Sequence, residues 1–237
     1  MKNLEVNCKC LKGNKFINET IFGNNAEELI IESEKVLARK KELLNTASIN
    51  LSLKRKNGAK DLEHKILAIL KKLSMDGAEF KVAFEEINPS SEGCDKIEFL
   101  IRANKGEKMG AIKDVASGGE LSRILLSLKA VLAKEDETET LVFDEVDSGI
   151  GGLVSANVGD VILALSKDHQ VIAITHSAQI AAKANEHYLV YKKEEGGRTL
   201  SHLKKIEKDE RVKEIARLLS GKASESALNH ARELIEV

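Results

Sequence analysis

The sequence is poor in the residues that build disulfides, aromatic surfaces and membrane spans. Its three cysteines, Cys8, Cys10 and Cys94, are an odd and scattered set among 237 residues, so we expect a reducing compartment and no disulfide framework. Tryptophan is absent and aromatic residues make up 3% of the chain, which disfavours a platform for stacking single-stranded bases. Because no apolar run reaches the roughly eighteen residues of a membrane span, we expect a cytoplasmic protein with no membrane partner.

Net charge is also small. The 37 basic and 38 acidic side chains leave a formal net charge of -1, so a broad electrostatic attraction to nucleic acid is not expected. Basic clusters at 54–56 and 192–193 could still contact phosphates. Their simpler interpretation is that they are solvated ends of a helix and a hairpin.

A phosphate-binding loop of the form G-x-x-x-x-G-K-[ST] is missing from the sequence as well. The backbone N–H groups and the lysine of such a loop hold the phosphates of a nucleotide. The glycine-rich run 149–152 cannot replace it, because no lysine follows. The histidines at 64, 169, 187, 202 and 230 do not have the spacing of metal ligands either.

Residues 26–75 are predicted to form a helical arm, being rich in Glu, Lys, Leu and Ile and free of proline. A clear apolar seam with spacings of four, three and four lies in its second half, at Leu62, Ile66, Ile69 and Leu73. A weaker seam with polar residues in between is typical of a loosely packed coiled coil, at Leu29, Val36 and Leu43. Gly58 is predicted to break or kink the helix, and residues 1–25 show no clear period and stay undetermined.

Residues 76–237 are predicted to form one α/β lobe. Alternating apolar residues on both sides of turn residues 88–93 predict an antiparallel hairpin between 79 and 101. Apolar runs at 140–143 and 170–175 predict two buried parallel strands, and the amphipathic stretch 153–165 joins them into a βαβ unit. A second hairpin over 188–203 and two helices, at 211–219 and 226–235, are predicted to complete the lobe.

The sequence Ser117-Gly118-Gly119-Glu120 precedes a predicted helix that begins at Gly119 or Glu120. We expect its packing face to consist of Leu121, Ile124, Leu125, Leu128 and Leu132. Ser117 and Glu120 fit an ordinary capping box, in which the two side chains bond to backbone N–H groups at the helix start. They also fit an anion site, because two glycines allow close approach and the helix start presents free N–H groups and a positive dipole end.

Acidic and histidine side chains follow the two predicted parallel strands. Asp144 and Glu145 come directly after the first strand, and His176 follows the second. Because the carboxyl ends of parallel strands meet at one edge of a sheet, these side chains are expected to lie together. Adjacent carboxylates suit a site where one holds Mg²⁺ and the other orients and deprotonates a water. Each motif alone is ambiguous, but the three in this order predict an ABC-type nucleotide-binding head.

These motifs resemble those of the RecN family of bacterial SMC-like DNA repair ATPases. The most specific matches are Val115–Arg123, Phe143–Gly152 and Ile174–Ala182, and the Val146-Asp147 pair stands where transporter ATPases usually carry proline. The resemblance implies an α/β ABC/SMC-type ATPase half-head, namely the C-terminal lobe, with a parallel βαβ core, flanking antiparallel hairpins and a helical coiled-coil arm. It covers the chain roughly from the helix before Leu73-Ser74-Met75 to the C-terminus.

The resemblance also implies roles for individual residues. Asp144 would hold Mg²⁺, Glu145 would be the general base, and His176 would contact the γ-phosphate of ATP. The signature residues Ser117, Gly118, Gly119 and Glu120 would bind that phosphate across a dimer. The family's D-loop would fall on 148–151, where Gly151 stands in place of the aspartate of many ABC proteins, so no catalytic carboxylate is assigned there.

The partners implied are a separate N-terminal lobe carrying the phosphate-binding loop, a second copy through ATP-sandwiched heads, and DNA. ATP and Mg²⁺ would bind only in a complete head, and the site of action would be the nucleoid, in recombinational repair of double-strand breaks. Two alternatives stay open: a non-catalytic interaction module that docks on such a lobe or on repair partners, and a truncated fragment.

Overall fold

The structure is a computed structural model that describes residues 15–114 and 117–236. Val115, Ala116, Cys8 and Cys10 lie outside the described residues. The helices and strands, in chain order, are α1 (Lys15–Lys72), β1 (Glu79–Ser90), β2 (Gly93–Arg102), β3 (Gly110–Ala111), a 3-10 turn (Ile112–Asp114), α2 (Gly118–Leu132), β4 (Thr140–Phe143), α3 (Gly152–Leu165), β5 (Gln170–Ala173), α4 (Ala178–Lys183), β6 (His187–Glu195), β7 (Arg198–Ile206), α5 (Lys208–Ser220) and α6 (Glu225–Glu236).

The chain divides into two compact units. The first contains the described residues up to Lys56 together with Glu86–Asp95, and the second contains Asn57–Glu85 and the residues from Lys96 onward. Among the described residues, no helix is both long enough and apolar enough to cross a membrane.

In the first unit, polar contacts hold the β1–β2 turn against α1. The hydroxyl of Ser52 donates a hydrogen bond of 2.8 Å to Asp95 Oδ1, and Arg55 Nη1 lies 3.6 Å from Asp95 Oδ2. Gly93 has a φ of 105°, and a Cβ there would lie 3.0 Å from Leu51 Cδ2. Glycine is required at this turn because an L side chain would be strained and crowded.

The predicted helical arm is confirmed as helix, with two differences. The helix runs through Gly58 without a break, so the predicted break is wrong; a helical glycine costs only about 1 kcal/mol, which the surrounding good helix formers outweigh. The weak seam is exposed along its length, at Leu29, Val36 and Leu43. In the second unit, Ile66 and Leu73 of the strong seam are fully buried, as expected.

The second unit contains three apolar clusters connected through helices. Ile66 and Leu70 of α1 pack with Phe80, Ile101 and the α2 residues Ile124 and Leu128. A second cluster joins Leu126 of α2 to β4, α3 and α4, through Leu141, Phe143, Val146, Val158 and Ile180. A third, small-residue cluster packs α4 against α5 and α6. Helix α2 therefore contributes to two clusters.

This double packing corrects the predicted face of α2. Ile124 and Leu128 are buried as expected, but Leu125 and Leu132 are 43% and 37% exposed, and Leu126 is fully buried instead. A single apolar stripe is expected when a helix covers one core. Because α2 separates two clusters, it buries residues on two faces.

Strands β4 and β5 are parallel, pairing Thr140 with Gln170 through to Phe143 with Ala173. The βαβ unit is thus confirmed, with the second strand ending two residues earlier than predicted. The prediction that both strands are buried is wrong for one face, since Val142 is 62% exposed and Ile172 is also exposed. In the described residues the sheet has only these two strands.

The remaining elements follow the prediction closely. Strands β1, β2 and β3 are neighbours in that order in one sheet. Strands β6 and β7 form the second hairpin, antiparallel from the His187–Ile206 pair to the Glu195–Arg198 pair. Helices α5 and α6 begin slightly earlier than predicted, and α5 ends at a left-handed Gly221.

Candidate active site

The signature residues lie at the start of α2 but do not form a capping box. Ser117 has extended backbone angles at the N-cap position, and its side chain makes no capping hydrogen bond. Glu120 Oε1 instead accepts a hydrogen bond of 3.0 Å from Asn104 Nδ2. The capping-box interpretation is therefore wrong, and Ser117 and Gly118 are exposed at a helix N-terminus.

The acidic pair lies in a turn directly after β4. Asp144 and Glu145 are exposed, whereas Val146 and Asp147 are buried. The turn is closed by a 3.0 Å hydrogen bond from the Ser148 N–H to the Glu145 carbonyl. Glu145 has a φ of 57°, a left-handed conformation that side chains other than glycine and asparagine adopt at a cost of about 1–3 kcal/mol.

The start of α2 packs against this turn. A Cβ on Gly118 would lie 2.8 Å from Glu145 Oε2, so the carboxylate rests against the backbone of the signature. A Cβ on Gly119 would meet Ser148 Cβ at 3.0 Å and the Ser148 carbonyl oxygen at 3.1 Å. Gly119 is needed for this close approach, because a Cβ there would meet the backbone of Ser148, whereas a Cβ at 118 would meet only the end of a flexible side chain.

Two side chains of α2 also bond to the turn. The Ser122 hydroxyl donates a hydrogen bond of 2.8 Å to the Asp144 carbonyl, and Arg123 Nη1 donates a hydrogen bond of 3.0 Å to the Ser148 carbonyl. Arg123 is buried, and loss of hydration lowers the pKa of its guanidinium, while the Glu120 carboxylate acts in the opposite direction. Sequence reasoning quoted Arg123 as part of the motif but gave it no role; a basic residue in an otherwise apolar helix face was the available signal.

The switch loop after β5 is tied to the same turn through Asp147. Its Oδ2 atom accepts hydrogen bonds of 3.0 Å from the backbone N–H groups of His176 and Ser177 and a short one from the Thr175 hydroxyl. His176 Nδ1 lies 3.3 Å from the same oxygen, and the imidazole is 80% exposed. Sequence reasoning gave Asp147 no role. Its only signal was a third carboxylate close after the acidic pair.

The structure thus brings the predicted residues into one region. The turn with Asp144 and Glu145 contacts the signature on one side and the His176 loop on the other. A cage for a metal ion is not formed, because no group of three or more potential ligands occurs among the described residues. Mg²⁺ commonly uses one or two protein carboxylates and takes its other ligands from water and substrate phosphates, so the exposed Asp144 fits such a partial site.

A parallel βαβ core, a glycine signature at a helix start, a strand-end acidic pair and a switch histidine define the C-terminal lobe of an ABC/SMC-type head. The fold agrees with solved structures. One is the SMC head domain with an extended coiled coil from Pyrococcus furiosus, bound to the C-terminal domain of ScpA. The match covers 79% of this chain and 44% of that chain, with a TM-score of 0.51 and 21% identity. Another is the SMC head domain with a coiled coil and joint from Pyrococcus yayanosii. This match covers 91% of this chain and 38% of that chain, with a TM-score of 0.50 and 20% identity.

Sequence relatives identify the family. No protein-family model matches the chain, but the DNA repair protein RecN of Deinococcus radiodurans is 44% identical over 186 residues, which are 78% of this chain and 33% of that protein. RecN of Treponema pallidum is 41% identical over 196 residues, 78% of this chain and 34% of that protein. The chain belongs to the RecN family and corresponds to its C-terminal SMC-like region. It spans about a third of the length of these curated relatives.

Proposed function

We propose that this chain supplies the C-terminal lobe of a composite ATPase head in a RecN-type protein that acts in recombinational repair of DNA double-strand breaks. ATP binding would engage two heads, and ATP hydrolysis would release them. The observation that carries the proposal is the meeting of the acidic turn, the signature glycines and the switch loop at one end of the βαβ unit. Membership in the RecN family supports the repair role.

The backbone of Glu145 supports a catalytic role for this residue. Strained, left-handed conformations of residues other than glycine cluster at active sites, where they aim a side chain. Glu145 is held in this conformation by the closed turn and by its buried neighbour Val146. Its carboxylate is therefore presented at the surface rather than in the core.

The open sheet face supports a separate N-terminal lobe as partner. Parallel sheets are normally covered on both faces, and two strands alone are only marginally stable. Here Val142, Ile172 and Ile174 are exposed, and the missing phosphate-binding loop must come from elsewhere. We propose that the lobe carrying that loop covers this face and completes the sheet.

In the assembled head, we propose that the Glu145 carboxylate accepts a proton from the water that attacks the γ-phosphate. Asp144 would hold Mg²⁺, which neutralises phosphate charge when bound. His176 would donate a hydrogen bond to the γ-phosphate. The N–H groups at the start of α2 would contact the nucleotide of a second copy, since charge at a phosphate suits a helix N-terminus.

The experiment that tests this proposal uses a head reconstituted from this chain and a lobe that carries the phosphate-binding loop. Glu145→Gln keeps the size of the side chain but removes the base, so turnover should fall on the order of 10²-fold or more while ATP binding persists. The matched control is Glu139→Gln, which changes an exposed carboxylate before the same strand and should leave turnover unchanged. A Glu145→Gln head that hydrolyses ATP at the parent rate would contradict the assignment.

An interaction module without catalysis would use the same open sheet face, so docking alone does not separate the two functions. Turnover by the assembled head does. We place the assembled protein in the cytoplasm at the nucleoid, with DNA bound through the complete molecule, and DNA-stimulated turnover of the assembled protein is the measurement for that part.

A further inference from the structure

We propose that Asp147 is a positioning residue that fixes the switch histidine, His176, relative to the turn that carries Asp144 and Glu145. The inference rests on the proposed function, because His176 has a reaction to serve only in an assembled head. It goes beyond the motif assignments, none of which gives Asp147 a role.

The geometry is that of an anchor. One buried oxygen, Asp147 Oδ2, accepts hydrogen bonds from the backbone N–H groups of His176 and Ser177 and from the hydroxyl of Thr175. These three donors are consecutive residues of the loop that follows β5. The side chain of Asp147 is only 3% exposed, so water is not available to replace these bonds.

The negative charge explains why one oxygen can serve three donors. Hydrogen bonds to a carboxylate are roughly twice as strong as neutral ones, and a buried donor left without a partner costs about 1–3 kcal/mol. Removing the carboxylate would therefore leave the His176 N–H and the Thr175 hydroxyl without their acceptor, while the Ser177 N–H would keep only its 2.9 Å hydrogen bond to Thr175 Oγ1. The loop would have to reorganise to expose the unpaired groups to water.

The anchor also places the imidazole beside the same carboxylate. His176 Nδ1 lies 3.3 Å from Asp147 Oδ2, which leaves Nε2 as the ring nitrogen free to meet a ligand, and the ring is largely exposed. Asp147 is two residues after Glu145 in the turn that Ser148 closes. The side chain of Asp147 thus links the turn that carries Glu145 to the loop that carries His176. If this link is lost, the distance between the two residues can change.

The first experiment measures the anchor without ATP turnover. In the full chain, Asp147→Ala should speed amide hydrogen exchange at His176 and Ser177 by about tenfold or more, because exchange follows local opening. Asp147→Asn keeps an oxygen acceptor but loses the charge, so an intermediate increase is expected. The control is Asp136→Ala, which removes a carboxylate that accepts from Lys129 and from the Thr138 N–H and should not change exchange in the switch loop.

The second experiment separates positioning from simple structural support. In the assembled head, Asp147→Ala should lower kcat by about tenfold or more, with less than about a threefold change in KM for ATP. Asp136→Ala should leave kcat unchanged even if it lowers the melting temperature. Should Asp147→Ala not fold, Thr175→Val removes a single donor to the same oxygen and should show smaller changes of the same kind.

The outcomes separate the two proposals. Unchanged exchange at His176 and Ser177 overturns the anchor, and faster exchange with an unchanged kcat overturns the positioning role. Faster exchange with a lower kcat supports both. A parent head that hydrolyses no ATP overturns the proposed function and, with it, the catalytic purpose of the anchor, while the exchange result still decides whether the anchor exists.

Discussion

At the scale of single residues, the two signature glycines meet different neighbours. A Cβ at 118 would face the end of the flexible Glu145 side chain, whereas a Cβ at 119 would face Ser148, including its backbone carbonyl. A side-chain end can move aside, but a turn closed by its own hydrogen bond cannot do so without loss. The two positions therefore tolerate substitution differently.

We expect Gly119→Ala to destabilise the chain by about 1–2 kcal/mol, because overpacking costs about 1–3 kcal/mol and the helix propensity of alanine returns up to about 1. Gly118→Ala should change stability by less than about 1 kcal/mol. Urea unfolding of the two variants measures the difference. Equal midpoints for both variants would show that the turn yields to the added methyl group.

At the scale of secondary structure, the sequence predicted elements better than it predicted their surroundings. The periods of the apolar residues located α3 and the two hairpins, and a short apolar run located β4. It could not show that α2 faces two clusters or that one face of β4 is open. Those features depend on which elements pack together.

The candidate site was also predictable only in part. Asp144, Glu145 and His176 could be placed at one sheet edge because parallel strands end together. The anchoring role of Asp147 could not, since an aspartate in a turn is usually exposed. Only the structure shows that this side chain is buried and accepts hydrogen bonds from the loop after β5.

The exposed start of α2 leads to a prediction for head engagement. In reconstituted heads, Ser117→Arg should fold and bind ATP but lose ATP-dependent dimerisation, because the arginine adds bulk where the second copy's nucleotide would approach. The Ser117 hydroxyl makes no capping bond, so stability should hardly change. Ser201→Arg, at an exposed serine of β7, is the control and should dimerise normally. Light scattering that finds normal ATP-dependent dimers of Ser117→Arg would refute the model of contact in trans.

The open face of β4 gives a second prediction at this scale. Val142→Lys should leave the isolated chain as stable as the parent, because Val142 is 62% exposed, but should prevent assembly with the lobe that carries the phosphate-binding loop. Burying an unpaired charge costs several kcal/mol. The control is Val190→Lys, at a valine of β6 that is 67% exposed. Co-purification with the lobe should be lost for the first variant and retained for the second.

At the scale of the whole molecule, the proposed function gives this chain one half of a reaction centre. In that proposal Glu145 is the base, Asp144 holds Mg²⁺ and His176 contacts the γ-phosphate, whereas the sequence has no loop to hold the triphosphate. Such a division would account for the exposed face of the β4–β5 sheet. Assembly would then be a condition for nucleotide binding.

We therefore expect the isolated chain neither to bind ATP tightly nor to hydrolyse it, since the charge of the triphosphate would stay largely uncompensated without the N–H groups and the lysine of the missing loop. Calorimetric titration with Mg²⁺-ATP should give no measurable heat at micromolar chain concentrations. Addition of the lobe that carries the loop should restore binding, and a lobe with its loop lysine changed to alanine should not. Micromolar affinity of the isolated chain for ATP would contradict the composite site, because the residues described here would then suffice to hold the nucleotide.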